Sequence, residues 1–177
     1  MKLLLRDTDA AVVAALSAAF ADCPDVDVTQ GNILSLNADA IVSPANSFGS
    51  MGGGIDRIYV RHFGVGVRAA LQARIRAEHG GELPVGEALC VPTGDARIPC
   101  MISAPTMRKP GAVTGSRNAY RAMLAALTEA ARHPTIVTLL CPGLCTKTGR
   151  MSPGEAAAQM REAYDTYRTE RSASTLA

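Results

Sequence analysis

The sequence predicts a three-layer α/β domain, and three observations carry that reading. Short apolar or β-branched runs alternate along the whole chain with longer segments of helical periodicity, as expected of a sheet covered by helices. Two of the runs, AIVS at 40–43 and the stretch reaching Cys141, are apolar without alternation, the pattern of strands buried on both faces. The chain has 177 residues, 47% of them hydrophobic and 19% charged, enough to bury a single core without disulfides or a structural metal.

Leu3 to Leu5 form a short first strand, and Val12, Val13, Leu16, Ala19 and Phe20 then recur at helical spacing over 9–20. Val26 and Val28 alternate with Asp25 and Asp27 in a strand that runs into Gly31. A turn-prone segment, GNILSLNAD, separates it from the AIVS strand, which Pro44 stops. Helices are expected from near 54 to 64 and over 67–79, then strands at about 87–91 and 100–104. The next helix, 117–131, carries Tyr120, Met123, Leu124, Leu127 and Ala131 on one apolar face.

A strand over 135–141 ends at Pro142. Ser152-Pro153-Gly154-Glu155 reads as a helix start, with Ser152 at the N-cap, Pro153 at N1 and Glu155 at N3. Ala156, Met160, Ala163, Tyr164 and Tyr167 supply its buried stripe. The polar end, RTERSASTLA, is expected to fray, so that one domain spans 1–170 and 171–177 form a flexible tail. No internal repeat or interdomain linker is visible.

Composition narrows the function classes. The 18 Lys and Arg against 16 Asp and Glu give a net charge of +2, which argues against nucleic-acid binding by bulk electrostatics but leaves room for a local anion site. The five cysteines are an odd, scattered set, expected to be reduced in an intracellular compartment. The apolar start is broken at Arg6, Asp7 and Asp9, too early for a signal peptide, and no window approaches 18 consecutive apolar residues. These features predict a cytoplasmic protein with no membrane partner.

Ligands of open α/β sheets bind beyond the carboxyl ends of strands, where both glycine-dense segments of this chain fall. In the first, Gly52, Gly53 and Gly54 lead into a helix at Ile55 and Asp56, and their amides can approach a phosphate at the helix N-terminus. They can equally make an ordinary tight connection, since neither the P-loop nor the dinucleotide spacing is present. The second segment, residues 142–149, places Gly143, Leu144, Cys145, Thr146 and Lys147 beyond another strand. Lys147 can neutralise a phosphate or simply be solvated. Cys141 and Cys145 are four apart, but no second pair or neighbouring His completes a zinc site, so no metal is expected.

GNI followed by DAIV, then PANS and GGGID, resembles the macrodomains, over nearly the entire chain. The resemblance implies an α/β/α fold with a central mixed sheet, a binding site for ADP-ribose or an ADP-ribosylated target, and no cofactor. It places adenine near Gly31, Asn32 and Ile33; many relatives have Asp at the Asn32 position, so an acceptor is kept and a charge lost. Ala45 allows close approach beside Asn46, whose amide the resemblance directs to the distal ribose; as a residue after Pro44, Asn46 also suits a turn cap.

Asp56 corresponds to the Asp that hydrolytic macrodomains use to orient water near the ribose anomeric carbon, and it is the sole carboxylate between Asp39 and Glu78. In the first turn of a helix it also fits a capping role. The family commonly has His four residues after that Asp, where this chain has Val60. Hydrolysis of ADP-ribose linkages and non-catalytic reading of ADP-ribose are therefore the two functions to separate.

Overall fold

A computed structural model describes residues 1–175. In chain order the elements are β1 (Lys2–Asp7), α1 (Ala10–Ala19), β2 (Val26–Gln30), a 3-10 turn (Ile33–Ser35), β3 (Ala40–Ser43), α2 (Gly54–Phe63), α3 (Val65–His79), β4 (Leu89–Pro92), β5 (Cys100–Ser103), α4 (Asn118–Ala131), β6 (Thr138–Cys141) and α5 (Pro153–Thr175). The six strands form one sheet in the order β2-β1-β6-β3-β5-β4, parallel throughout except for the β4–β5 pair. The sheet is therefore mixed, and only the edge strand β4 runs against the rest.

Period-two alternation sorts the side chains between two cores. Ala40, Val42, Leu139 and Cys141 face a core built with α1, α4 and α5, while Ile41 and Leu140, one step along, join α2 and α3 on the opposite face. Strands buried on both sides need no polar alternation, which is why AIVS and TLLC are uniformly apolar or nearly so. Asp39 fastens β3 to β6 where both strands begin: its Oδ2 accepts from the Val137 amide at 3.0 Å, the Thr138 amide at 2.7 Å and the Thr138 hydroxyl at 2.6 Å.

Three boundaries differ from expectation. The turn-prone segment after Gly31 contains the 3-10 turn, because the Asn32 side chain caps it by accepting from the Leu34 amide. The strand expected over 135–141 begins only at Thr138, since the Ile136 amide closes a turn onto His133. Helix α5 starts as expected, with Ser152 Oγ accepting from the Glu155 amide at 3.2 Å, but it continues through 171–175, where a tail was expected. In that last stretch the Ser172 hydroxyl donates to the Arg168 carbonyl within the helix. Residues 176 and 177 lie outside the described residues.

Candidate functional site

Five parallel strands, β2, β1, β6, β3 and β5, end along one edge of the sheet. The segments that leave those ends line one cavity of about 740 Å³. Because neighbouring strands are about 4.8 Å apart, the strand order also fixes the order of the cavity wall over a span of roughly 19 Å. Residues 31–33 follow β2, Arg6 to Thr8 close β1, the 142–149 loop follows β6, residues 44–56 follow β3, and Thr106, Met107 and Pro110 follow β5. The two glycine-dense loops thus occupy the middle, with polar groups on either side.

At the β3 end, Asp56 sits in the first turn of α2 and is 7% exposed. Its Oδ1 accepts from the hydroxyl of Ser43, the last residue of β3, at 2.6 Å. Burial pushes the carboxyl up to about 6, against the opposing effect of that hydrogen bond. Tyr59, fully buried one turn later, donates to the Val42 carbonyl at 3.2 Å and holds α2 against the strand end. Val60 packs against the core beneath α2, and His62 pairs with Asp95 at 3.1 Å.

Asn46 lines the cavity, but its side chain is engaged in its own turn: Oδ1 accepts from the Phe48 amide at 3.0 Å, and Nδ2 donates to Ser50 Oγ at 2.6 Å. The turn cap that its place after Pro44 suits is formed. Ala45 and Ile55 line the same wall. Gly52, Gly53 and Gly54 do so as well, and Gly54 has φ +54°, a left-handed conformation that a Cβ would strain. Gly53 is the N-cap of α2 with extended φ −142°, and a Cβ there would meet nothing within 4 Å.

The second loop is more committed to the protein than its sequence indicates. Gly143 donates its amide to Asp7 Oδ2 at 3.1 Å, and a Cβ at Gly143 would collide with Val12 of α1. Lys147 pairs with Asp9 Oδ2 at 2.7 Å, and this bond raises the ammonium pKa. Leu144, expected to contact ligand, has its side chain wholly buried among α1, α4 and α5 and does not line the cavity. An aliphatic side chain beside that apolar core gains more from packing than from a polar cleft. Cys145 lines the cavity with its thiol pushed up to about 12 by burial, and Thr146 Oγ1 is buried without a partner among the described residues.

At the β2 end, Asn32 and Ile33 line the cavity. Arg6, Asp7 and Thr8 join them without having been singled out, although their position at the end of the first strand was a usable signal. The Arg6 guanidinium donates to the Asn32 carbonyl at 3.1 Å and to Thr29 Oγ1 at 2.9 Å. Thr106, Met107 and Pro110 were also missed, because a loop rich in Arg, Lys and Gly carries no periodicity.

The Macro domain family model matches residues 42–160. An uncharacterized protein of Aquifex aeolicus is 33% identical over 135 residues, spanning 76% of this chain and 77% of that protein. Among solved structures, the Oceanobacillus iheyensis macrodomain with ADP is similar at a TM-score of 0.66 and 21% identity, covering 76% of this chain and 71% of that one. The Trypanosoma brucei macrodomain in complex with ADP-ribose has a TM-score of 0.58 at 18% identity, over 77% of this chain and 56% of that one.

Proposed function

The chain belongs to the macrodomain family, and from that premise we propose that it binds ADP-ribose across the strand-end cavity and hydrolyses the bond joining ADP-ribose to a modified target or a small ester. The observation that carries the reading is the order of the cavity wall. The two glycine-dense loops, after the adjacent strands β6 and β3, line the wall where a diphosphate would lie; Asn32 stands two strands away at the β2 end, the base end, and Asn46 and Asp56 stand in the β3 segment beside the loops, the ribose end. The Oceanobacillus iheyensis relative with ADP and the Trypanosoma brucei relative with ADP-ribose support the same ligand class.

For the diphosphate, residues 52–54 offer backbone amides at the start of α2, aided by the partial positive charge of the helix N-terminus. The 142–149 loop closes the other side, although Gly143 and Lys147 already hold Asp7 and Asp9. At the ribose end, Asp56 is the group suited to chemistry. A carboxyl with pKa about 6 is largely ionised at neutral pH yet basic enough to take a proton from water as that water attacks. For a glycosidic linkage the water oxygen bonds to the anomeric carbon and the bond to the target breaks. For an ester the water attacks the acyl carbon instead, the acyl–oxygen bond breaks, and the ribose hydroxyl and the carboxylic acid are released.

A second reading, a reader that binds without turnover, is favoured by two observations. Asn46 spends its amide on its own turn, and Val60 stands where the family commonly has His. One experiment covers both readings: calorimetry with ADP-ribose and AMP, followed by incubation with mono-ADP-ribosylated substrates of several linkages. ADP-ribose is expected to bind more tightly, because AMP cannot reach across both loops; equal affinities would refute the site. Release of ADP-ribose supports the hydrolase, and binding without release on every linkage supports the reader.

A further inference from the structure

Resting on the proposed placement of the ligand, we infer that the rim of the cavity beyond the ribose end is a docking surface for the target, and that it fits an acidic protein segment flanking the modified residue. With the base at β2 and the ribose beside Asp56 in the β3 segment, a group joined to that ribose leaves over the remaining wall. That wall is the β5 segment and the first turns of α2. Ile58 of α2, 50% exposed, lines the cavity there, as do Met107 and Pro110 of the β5 segment.

The charges that border these residues are of one sign. Arg57 stands between Asp56 and Ile58, both in the wall, and Arg61 lies one turn further along the same face of α2. Arg108 and Lys109 stand between Met107 and Pro110. All four cations are exposed and none lines the cavity, so they edge its mouth rather than the diphosphate site. Across residues 44–68 and 105–117, six Lys and Arg stand against one carboxylate, the buried Asp56, although the whole chain carries only +2.

Ion pairs within the fold leave most of this charge unbalanced. Arg57, Arg61 and Lys109 have no ion-pair partner among the described residues. Glu82, whose charge reaches Lys109, is already bridged by Arg108 through hydrogen bonds of 2.7 and 2.9 Å. Asp95 gives one oxygen to His62 and the other to the Arg97 amide. Three exposed cations without counter-charge attract a partner that supplies carboxylates. A protein segment fits better than a nucleic acid: Ile58, Met107 and Pro110 offer aliphatic contact, and no aromatic side chain lines the cavity for bases to stack on.

Calorimetry would compare free ADP-ribose with ADP-ribose joined at its anomeric carbon to peptides of one length, whose flanking residues are all glutamate or all glutamine. A carbon–carbon junction, which water does not cleave, keeps binding separate from turnover. An exposed ion pair is worth at most about fivefold in affinity, so the three cations together should favour the glutamate peptide by about tenfold at low salt. The preference should shrink toward parity at about 1 M salt, where the screening length falls to about 3 Å. Arg57→Gln/Arg61→Gln/Lys109→Gln changes three exposed residues outside the cavity wall, and should abolish the preference while leaving free ADP-ribose binding unchanged. The same ligand carried on a short single-stranded oligonucleotide should bind more weakly than the glutamate peptide. Equal affinity for the two peptides, a preference that survives in the folded triple variant, or equal or tighter binding of the oligonucleotide would overturn the inference while free ADP-ribose still marks the cavity. Binding of no ligand, free ADP-ribose included, would overturn both the inference and the cavity site.

Discussion

Replacing Asp56 with Asn should stabilise the protein while removing the proposed hydrolysis. The carboxyl is buried at the cavity wall, and burial raises its pKa from 3.8 to about 6. A folded pKa above the unfolded value means that the folded state binds the proton more firmly. The group is therefore neutral and without cost below about pH 3.8, and its ionisation destabilises the fold increasingly as pH rises through 6. Above that the cost is constant, at most roughly 3 kcal/mol for a rise of this size.

Asn keeps a carbonyl for the Ser43 hydroxyl, which donates at 2.6 Å in the wild type, and cannot ionise. In a domain of this length the ceiling corresponds to about 6–12 °C in Tm. Thermal melting should show Asp56→Asn more stable by up to that amount at about pH 7.5, and little different from wild type near pH 4. Single-turnover release of ADP-ribose should fall at least about 100-fold, as for loss of a positioned base. The wild-type rate should climb through about pH 6 as Asp56 loses its proton. A variant less stable than wild type at pH 7.5, or a gain equal at both pH values, would refute the charge-burial argument, and an unchanged rate would remove Asp56 from the chemistry.

Gly53→Val places its Cβ where no atom lies within 4 Å, on an extended backbone that a β-branched residue adopts, so the variant should fold. Losing the preferred N-cap should cost about 1 kcal/mol by melting, while the added methyls block phosphate and weaken ADP-ribose at least about tenfold by calorimetry; a folded variant with wild-type affinity would exclude this loop. Ser103→Ala removes a fully buried hydroxyl that has no partner among the described residues, and should leave melting unchanged or raise stability by about 1 kcal/mol. A clear loss would mean that Ser103 holds a partner.

Local properties were sufficient for three features: hydrophobic periodicity for the order of strands and helices, the Ser152-Pro153-Gly154-Glu155 capping pattern for the start of α5, and glycine density for the two segments lying beyond strand ends. Asp56 could be singled out from sequence because GGGID resembles the macrodomain motif that carries that Asp, and no other carboxylate lies between Asp39 and Glu78. What periodicity does not encode is which polar groups remain available to a ligand. Lys147 is claimed by Asp9, 138 residues away, and the Gly143 amide by Asp7, 136 residues away, because β6 inserts beside β1 in the sheet.

The same insertion turns Leu144 into the core and brings Arg6, Asp7 and Thr8 to the cavity. Asn32 and Asn46 show the other limit. Their residue types announce hydrogen bonding, but only the folded turns decide that the Asn32 side-chain oxygen goes to the Leu34 amide and that Asn46 spends its amide on Ser50. Burial follows from the pattern of the chain, whereas a hydrogen bond needs two groups within about 3 Å, and the tertiary fold alone brings together groups as far apart in sequence as Lys147 and Asp9.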